Sequence, residues 1–258
     1  MDLARALAAR YVRHGVGTYA AAAAFYLLFA LFPLLIFFSA VLGLLRIDPA
    51  AAVQLLARIA PPQAAELAEV YLRHVQSHPS GALASFALVF SLWFPTRAAI
   101  TLLRAVRRAY GLEMPKRTLR HAAKAFCGTA VLLAALVGML GVLSATERAA
   151  AVLGVPSLSV PLRLAAVGCG GAFALSLLYR LAQDGKTAWR DLWPGTAIAL
   201  GAWLVISWGY SIYVEHFADY PALYGSLGTV VAVLVWLELT AATLIMGAEV
   251  NGMVKERP

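Results

Sequence analysis

Charge is scarce in this sequence, and acidic charge is the scarcest. Of the 258 residues only 13% are charged and only 13 are Asp or Glu, while 62% are hydrophobic and the mean hydropathy is +0.77. Soluble domains carry about 25% charged residues. The composition therefore excludes an ordinary water-soluble fold and indicates a membrane protein.

Cysteine and histidine are also rare. The two cysteines, Cys127 and Cys169, lie in apolar segments, which excludes a disulfide framework and leaves the redox compartment undetermined. The five histidines are scattered, and the sequence holds no HExxH pattern, no paired cysteine ligands and no glycine-rich phosphate loop. We therefore expect no metal, no cofactor and no enzymatic activity.

Long apolar stretches dominate what is present. A membrane-spanning helix needs about 20 predominantly apolar residues. Six such stretches occur, at Thr18 to Leu45, Ala82 to Ala105, Ala122 to Ser144, Pro161 to Leu181, Leu192 to Tyr213 and Tyr224 to Asn251. They lack the alternation of barrel strands. The sequence predicts an all-α polytopic bundle, with residues 1–258 forming one domain of six transmembrane helices.

The positions of Lys and Arg predict the orientation of the bundle. Sixteen of them fall on the side that holds both termini and five on the other side. By the positive-inside rule both termini face the cytoplasm. The net charge of +8 is thereby explained by topology, so we expect anionic lipid headgroups as partners and no nucleic acid.

The first loop on the opposite, periplasmic side, residues 47 to 81, has apolar residues at helical spacing with charged residues opposite them. This pattern predicts short amphipathic helices that either cap the bundle or gate a cavity. Pro33 and Pro95 lie inside spans and predict kinks, which are either merely tolerated or line a transport cavity. Small residues four apart, such as Gly168 with Ala172 and Ala197 with Gly201, predict close helix contacts.

Two charged residues fall inside predicted spans. Arg97 and Glu238 each lie roughly 20 Å from the outer ends of their helices, at matching depth in a core about 30 Å thick. Buried charges in membranes are costly and therefore suggest function. Glu238 either pairs with Arg97, or is protonated or exposed to water, or has another partner.

Three arginines share one helical face. A rotation of about 100° per residue brings Arg97, Arg104 and Arg108 together, in a stripe running from inside the bilayer to its surface. Guanidinium groups bind phosphate through two parallel hydrogen bonds, so the stripe suits a phosphate-bearing amphiphile. The alternative is positive-inside anchoring by side chains that reach the interface.

Four segments carry a resemblance to a known family. They are AAAAFYLLFALFPLLIFF at 21–38, WFPTRAAITLLRAVRRAYG at 93–111, LLYRLAQDGKTAWRDLWPGTAIALGAW at 177–203 and YGSLGTVVAVLVWLELTAATLIMGAEVNG at 224–252. Together they resemble the YihY/BrkB family. The resemblance implies a six-span bacterial inner-membrane protein with cytoplasmic termini, linked to serum resistance and lipopolysaccharide or lipid traffic, for which an older ribonuclease label is mistaken.

The positions that match the family signatures are Tyr179, Arg180, Gly195, Tyr224, Gly225, Gly228, Trp236, Gly247 and Glu249. Glu238 and the segment at 182–184 depart from the family pattern. Arg180 and Glu249 end their predicted helices at the cytoplasmic boundary and form a second candidate pair.

These patterns favour a transporter or flippase-like protein for a lipid or other amphipathic anion in envelope biogenesis. We expect Arg97, Arg180, Glu238 and Glu249 to border a cytoplasm-facing cavity. The alternative is a non-transporting scaffold for envelope-assembly partners, with no internal cavity. Homo-oligomers are compatible with either function, and the substrate, direction and energy coupling of transport do not follow from the sequence.

Overall fold

The computed structural model describes residues 3–45, 81–113, 159–185, 187–216 and 226–255, together with residues 53, 66, 69, 70 and 126. Within these ranges the chain is helical apart from short turns and contains no strand. The helices are α1 (Leu3–His14), α2 (Val16–Leu45), α3 (Gly81–Ala109), α4 (Ser159–Ala182), α5 (Trp193–His216) and α6 (Ser226–Lys255), and a 3-10 turn, Trp189–Leu192, leads into α5.

The predicted all-helical membrane architecture is confirmed. Helices α2 to α6 lie within a few residues of five of the six predicted spans. By length and apolarity, three described helices could each cross a membrane, or four if the bent pair α1–α2 forms one span. The predicted span Ala122 to Ser144 and the predicted periplasmic helices fall outside the described residues, single positions excepted, so the count of six spans stays a prediction.

Helix α1 was not predicted. It has 12 residues, and three of them are arginine. The segment is therefore too short and too polar to be recognised as a membrane span from its hydropathy. Gly15 separates it from α2 with a φ of 65°, a left-handed conformation that glycine adopts at little cost. The two helices are bent by 64° at this break. Helix α1 therefore turns away from the direction of α2.

One end of the bundle is well defined by its contacts, and we call it the α1 end. There α1 contacts the last residues of α3 and α6, and the first turn of α5 contacts the last turns of α6. The ends of α3 and α4 are joined by Arg107, which donates a hydrogen bond to the carbonyl oxygen of Ala182 at 2.8 Å. The described parts of both chain termini lie at this end.

Small residues form much of the core between α2, α3 and α6. Ala20, Ala23, Ala105, Ala109 and Ala241 are all buried in one cluster. Their size allows helix backbones to approach closely, which is how helices associate in lipid. Two of the glycines that we predicted at close contacts behave differently, because a Cβ atom added at Gly168 or Gly201 would meet open space. For these two positions the prediction was wrong.

The two prolines predicted to kink spans lie inside helices that continue through them. Pro33 is in α2 and Pro95 is in α3. Whether either position serves transport remains a prediction.

Candidate functional site

A fully buried carboxylate anchors α1 to the bundle. The side chain of Glu249, in α6, is 0% exposed. Its Oε2 accepts a hydrogen bond from Nη1 of Arg10 at 3.2 Å, and its Oε1 lies 2.6 Å from Nδ1 of His14. Nη1 of Arg10 also reaches the carbonyl oxygen of Ala109 at the end of α3, at 3.4 Å. Three helices are thus joined by one ion cluster, which we call the Glu249 cluster.

The Glu249 cluster corrects one expectation, because Glu249 pairs with Arg10 and His14 and not with Arg180. In the sequence Arg10 was one more charge on the cytoplasmic side, and His14 had no predicted role. A signal was available, since the two residues lie four apart and therefore on the same face of a helix. Nothing in the sequence, however, connects that face to Glu249, which lies 239 positions after Arg10.

Beside the cluster, the first turn of α5 and the last turns of α6 pack backbone against backbone. A Cβ atom at Gly195 would overlap the carbonyl oxygen of Gly247, and one at Gly247 would lie 2.6 Å from both the Cβ of Ala199 and the carbonyl oxygen of Gly195. Asn251 closes this contact, which we call the glycine seam. It accepts a hydrogen bond from the Gly195 N–H at 2.6 Å and donates one to the carbonyl oxygen of Leu192 at 3.0 Å.

Tyrosines at the α1 end are held in the same packing. Tyr179 is fully buried, and its hydroxyl donates a hydrogen bond to the carbonyl oxygen of Leu244 at 2.6 Å. Tyr110 follows the end of α3, and its hydroxyl lies near the amides of Asn251 and Gln183 without forming a well-aligned hydrogen bond. Burial raises the pKa of Tyr110 to about 12.

Polar side chains also join α5 to α6 deeper in the bundle. The indole N–H of Trp236 donates to Oγ of Ser207 at 3.1 Å, and the indole of Trp203 donates to the hydroxyl of Thr240 at 3.1 Å. In hydrocarbon such donors have no water to bind, so each requires a protein partner. The family-signature tryptophan thus holds two helices together.

Arg97 lies on the exposed side of α3, against α2. Its guanidinium carbon is 5.5 Å from the ring centroid of Tyr26, and Nη2 donates a long hydrogen bond of 3.4 Å to the Tyr26 hydroxyl. The structure does not bring Arg97 and Glu238 together. Glu238 is partly exposed and makes no hydrogen bond or ion pair within the described part of the chain.

The predicted arginine stripe on α3 is continued by aromatic rings in the direction away from the α1 end. Phe90 and Phe94 precede Arg97 on the same face, and their ring centroids lie 5.7 Å apart. Phe94 stacks on Phe29 of α2 at 5.7 Å, and Phe29 contacts Phe25 at 4.7 Å. We call these four rings the aromatic track.

Of the three stripe arginines, Arg97 and Arg108 are exposed and Arg104 is partly exposed. Within the described residues none of the three pairs with a carboxylate, whereas Arg107, off the stripe, pairs with Asp184 at 3.0 Å. The surface thus changes from aromatic to cationic along α3.

Three of the signature positions lie at or before the start of α6. Gly228 lies in the first turn of α6, while Tyr224 and Gly225 fall outside the described residues. In the described ranges no three His, Cys, Asp or Glu side chains are grouped so as to hold a metal ion. Arg180 rests on the indole ring of Trp189, at 4.9 Å from guanidinium carbon to ring centroid.

Long apolar helices and charges gathered at one end define a helical integral membrane protein. Its family follows from comparison with known proteins: the family described as Virulence factor BrkB matches residues 7–258, and the chain belongs to that family. The predicted resemblance is confirmed.

Relatives agree with this assignment. The chain is 27% identical over 266 residues to the ribonuclease-like protein YfkH of Bacillus subtilis, a match that covers 100% of this chain and 96% of the relative. Over 78 residues it is 26% identical to a UPF0761 membrane protein of Pseudoalteromonas translucida, covering 30% of this chain and 26% of that one. A UPF0761 membrane protein of Xanthomonas oryzae is 28% identical over 72 residues, or 28% of this chain and 17% of that protein. No solved structure matches.

Proposed function

We propose that this membrane protein binds the phosphate of a lipid or other amphipathic anion on α3 and moves that molecule across the bacterial inner membrane without chemical change. The observation that supports this is the arginine stripe. Arg97, Arg104 and Arg108 share one face of α3 and have no carboxylate partner within the described residues. An uncompensated cation inside an apolar span is costly, so its retention favours an anionic ligand.

The aromatic track supports the amphipathic class of ligand. Phe90 and Phe94 lie seven and three residues before Arg97, which places them on the same face about 5 to 10 Å farther along the axis of α3. A lipid oriented with its phosphate toward the α1 end would place acyl chains against these rings. A small inorganic anion would make no use of them. The order of aromatic and cationic groups therefore matches a lipid better than a soluble ion.

Orientation is part of the same proposal. The α1 end gathers Arg10, Arg107, Arg180 and Lys255, and the positive-inside rule places such an end in the cytoplasm. In this orientation the arginine stripe opens toward the cytoplasmic leaflet, where anionic headgroups are abundant. Both termini are then cytoplasmic.

Transport is tested by following a fluorescent phosphatidylglycerol across the bilayer of proteoliposomes. We expect the purified protein to speed its translocation and Arg97→Gln to slow it about tenfold, because one charge-assisted contact to phosphate is lost. Arg97→Lys keeps the charge but cannot form two parallel hydrogen bonds to phosphate, so its translocation rate should lie between those of the wild type and Arg97→Gln. Arg13→Gln, which removes an exposed arginine of α1, serves as control. Translocation no faster than in protein-free liposomes would refute the proposal.

A second function, a non-transporting scaffold for envelope-assembly partners, is favoured by the Glu249 cluster and the glycine seam. The family-signature residues Gly195, Gly247 and Glu249 all take part in helix packing. Their presence is therefore explained without a substrate. A scaffold predicts that Arg97→Gln leaves lipid movement unchanged.

A further inference from the structure

A second cationic site lies on α4, on a surface formed by residues other than those of the α3 stripe. The guanidinium carbon of Arg180 is 4.9 Å from the centroid of the Trp189 ring. That ring is stacked on Phe173, with centroids 5.8 Å apart and an interplanar angle of 13°. Arg180, Trp189 and Phe173 therefore form one layered group, which we call the Arg180 stack.

The turn after α4 brings the three residues together. The N–H groups of Gln183 and Gly185 donate to the carbonyl oxygen of Arg180 at 3.1 and 2.9 Å. Asp184 and Gly185 both have positive φ, of 54° and 75°, which reverses the chain direction. The chain then returns along α4 and enters the 3-10 turn at Trp189, so that the indole covers both Arg180 and Phe173.

Within the described residues Arg180 rests on the Trp189 ring and has no carboxylate partner. Its Nε is buried without a hydrogen-bond acceptor, and no hydrogen bond or ion pair of its side chain occurs in the described ranges. Three carboxylates near Arg180 in sequence or at this end of the bundle pair with other cations. Asp184 pairs with Arg107 at 3.0 Å, Asp191 with Arg190 at 3.6 Å, and Glu249 with Arg10 at 3.2 Å. A guanidinium left with unused donors attracts an anion.

The surface beside Arg180 has the dimensions of a lipid. Phe173 and Arg180 are seven residues apart on the same face of α4, so the ring lies about 10 Å from the charge along the helix axis. Phe173 and Trp189 are both exposed on this surface, and Trp193 is exposed one turn farther on. Tryptophan prefers the level of lipid headgroups. A charge at headgroup level with an aromatic wall leading into the hydrocarbon fits a phospholipid.

From these contacts we infer that the Arg180 stack is a binding site for an anionic phospholipid, with the phosphate on Arg180 and an acyl chain along Phe173. The site is independent of the proposed transport and holds even if the arginine stripe of α3 has only a topological role.

The test uses nanodiscs of phosphatidylcholine that contain a photoactivatable phosphatidylglycerol, with crosslinked peptides identified by mass spectrometry. We expect labelling of the segment that contains Phe173 and Trp189, and about tenfold less labelling in Arg180→Gln, because the headgroup loses its charge-assisted hydrogen bonds. Arg190→Gln is the matched control. It removes an arginine that is 89% exposed and already paired, and it should label like the wild type.

Other variants separate the remaining outcomes. Trp189→Leu removes the ring beneath the guanidinium and should also reduce labelling, so the proposal stays testable if Arg180→Gln does not fold. Arg97→Gln should leave labelling of this segment unchanged, which distinguishes this site from the transport proposal. Equal labelling of the wild type and Arg180→Gln would overturn the inference, as would equal labelling by a phosphatidylcholine probe. Competition by inorganic phosphate would indicate a phosphate site, and a changed oligomeric mass would indicate a second copy of the chain; either overturns it too.

Discussion

Replacement of Glu249 by glutamine should release α1 from the bundle. Glutamine keeps the shape of the side chain but removes the charge. The side chain of Arg10, which is 8% exposed, would then remain buried and charged without the carboxylate that balances its charge. Removing one partner of a buried ion pair costs about 3–5 kcal/mol.

Release of α1 should be visible as local opening, because the helix has little stability of its own. A 12-residue helix is too short to persist in water without packing partners. We therefore expect hydrogen–deuterium exchange of the α1 amides to accelerate by about a hundredfold or more in Glu249→Gln. The upper limit is the exchange rate of a fully released helix. His14→Gln keeps the contact between Arg10 and Glu249 and should have a smaller effect, of about 1 kcal/mol.

Glu238 provides the matched control for this experiment. It is a second glutamate of α6, partly exposed and without an ion pair in the described part of the chain. Glu238→Gln should leave exchange of α1 at the wild-type rate. If Glu249→Gln exchanges no faster than Glu238→Gln, the ion cluster does not hold α1 and our explanation of this end of the bundle is wrong.

Two further predictions concern the glycine seam. Gly247→Ala should destabilise the protein by about 1–3 kcal/mol, because the new methyl group meets Ala199 and the backbone of Gly195. Gly201→Ala is the control: its added carbon meets open space, so it should be neutral or stabilising by up to about 1 kcal/mol. The thermal denaturation midpoints of both variants are measured in the same detergent. Equal decreases of the two midpoints relative to the wild type would show that the seam is not closely packed. Asn251→Leu leaves the N–H of Gly195 without its acceptor, which should cost about 1–3 kcal/mol in the same assay. A midpoint equal to that of the wild type would contradict this.

Hydropathy was sufficient to predict most of the described fold. The apolar run that predicted a span from Leu192 to Tyr213 corresponds to α5, and Pro194 lies in its first turn, where a proline N–H needs no partner. Helix α1 could not be found in this way, because its three arginines lower its hydropathy and its stability depends on contacts made elsewhere in the chain. Amphipathic spacing was its only local signal.

The candidate site was less predictable than the fold. The arginine stripe follows from helix geometry alone, so it could be derived from spacing. The partner of Glu249 could not, because ion pairs between distant segments depend on which helix ends meet, and Arg5, Arg10 and Arg13 look alike in sequence. The family signature marked Gly195 and Gly247 without predicting their close approach, while spacing pointed to Gly168 and Gly201, where an added Cβ atom would meet open space.

The central claim is that the arginine stripe of α3 holds a phosphate-bearing amphiphile. It is tested most directly by identifying the lipids that remain with gently purified wild type and with the double variant Arg97→Gln, Arg104→Gln. Our account predicts that a phosphorylated lipid is enriched over the host membrane in the wild type and that this enrichment falls in the variant. Retained lipids that mirror the host membrane equally in both proteins would contradict it, and the stripe would then serve topology alone.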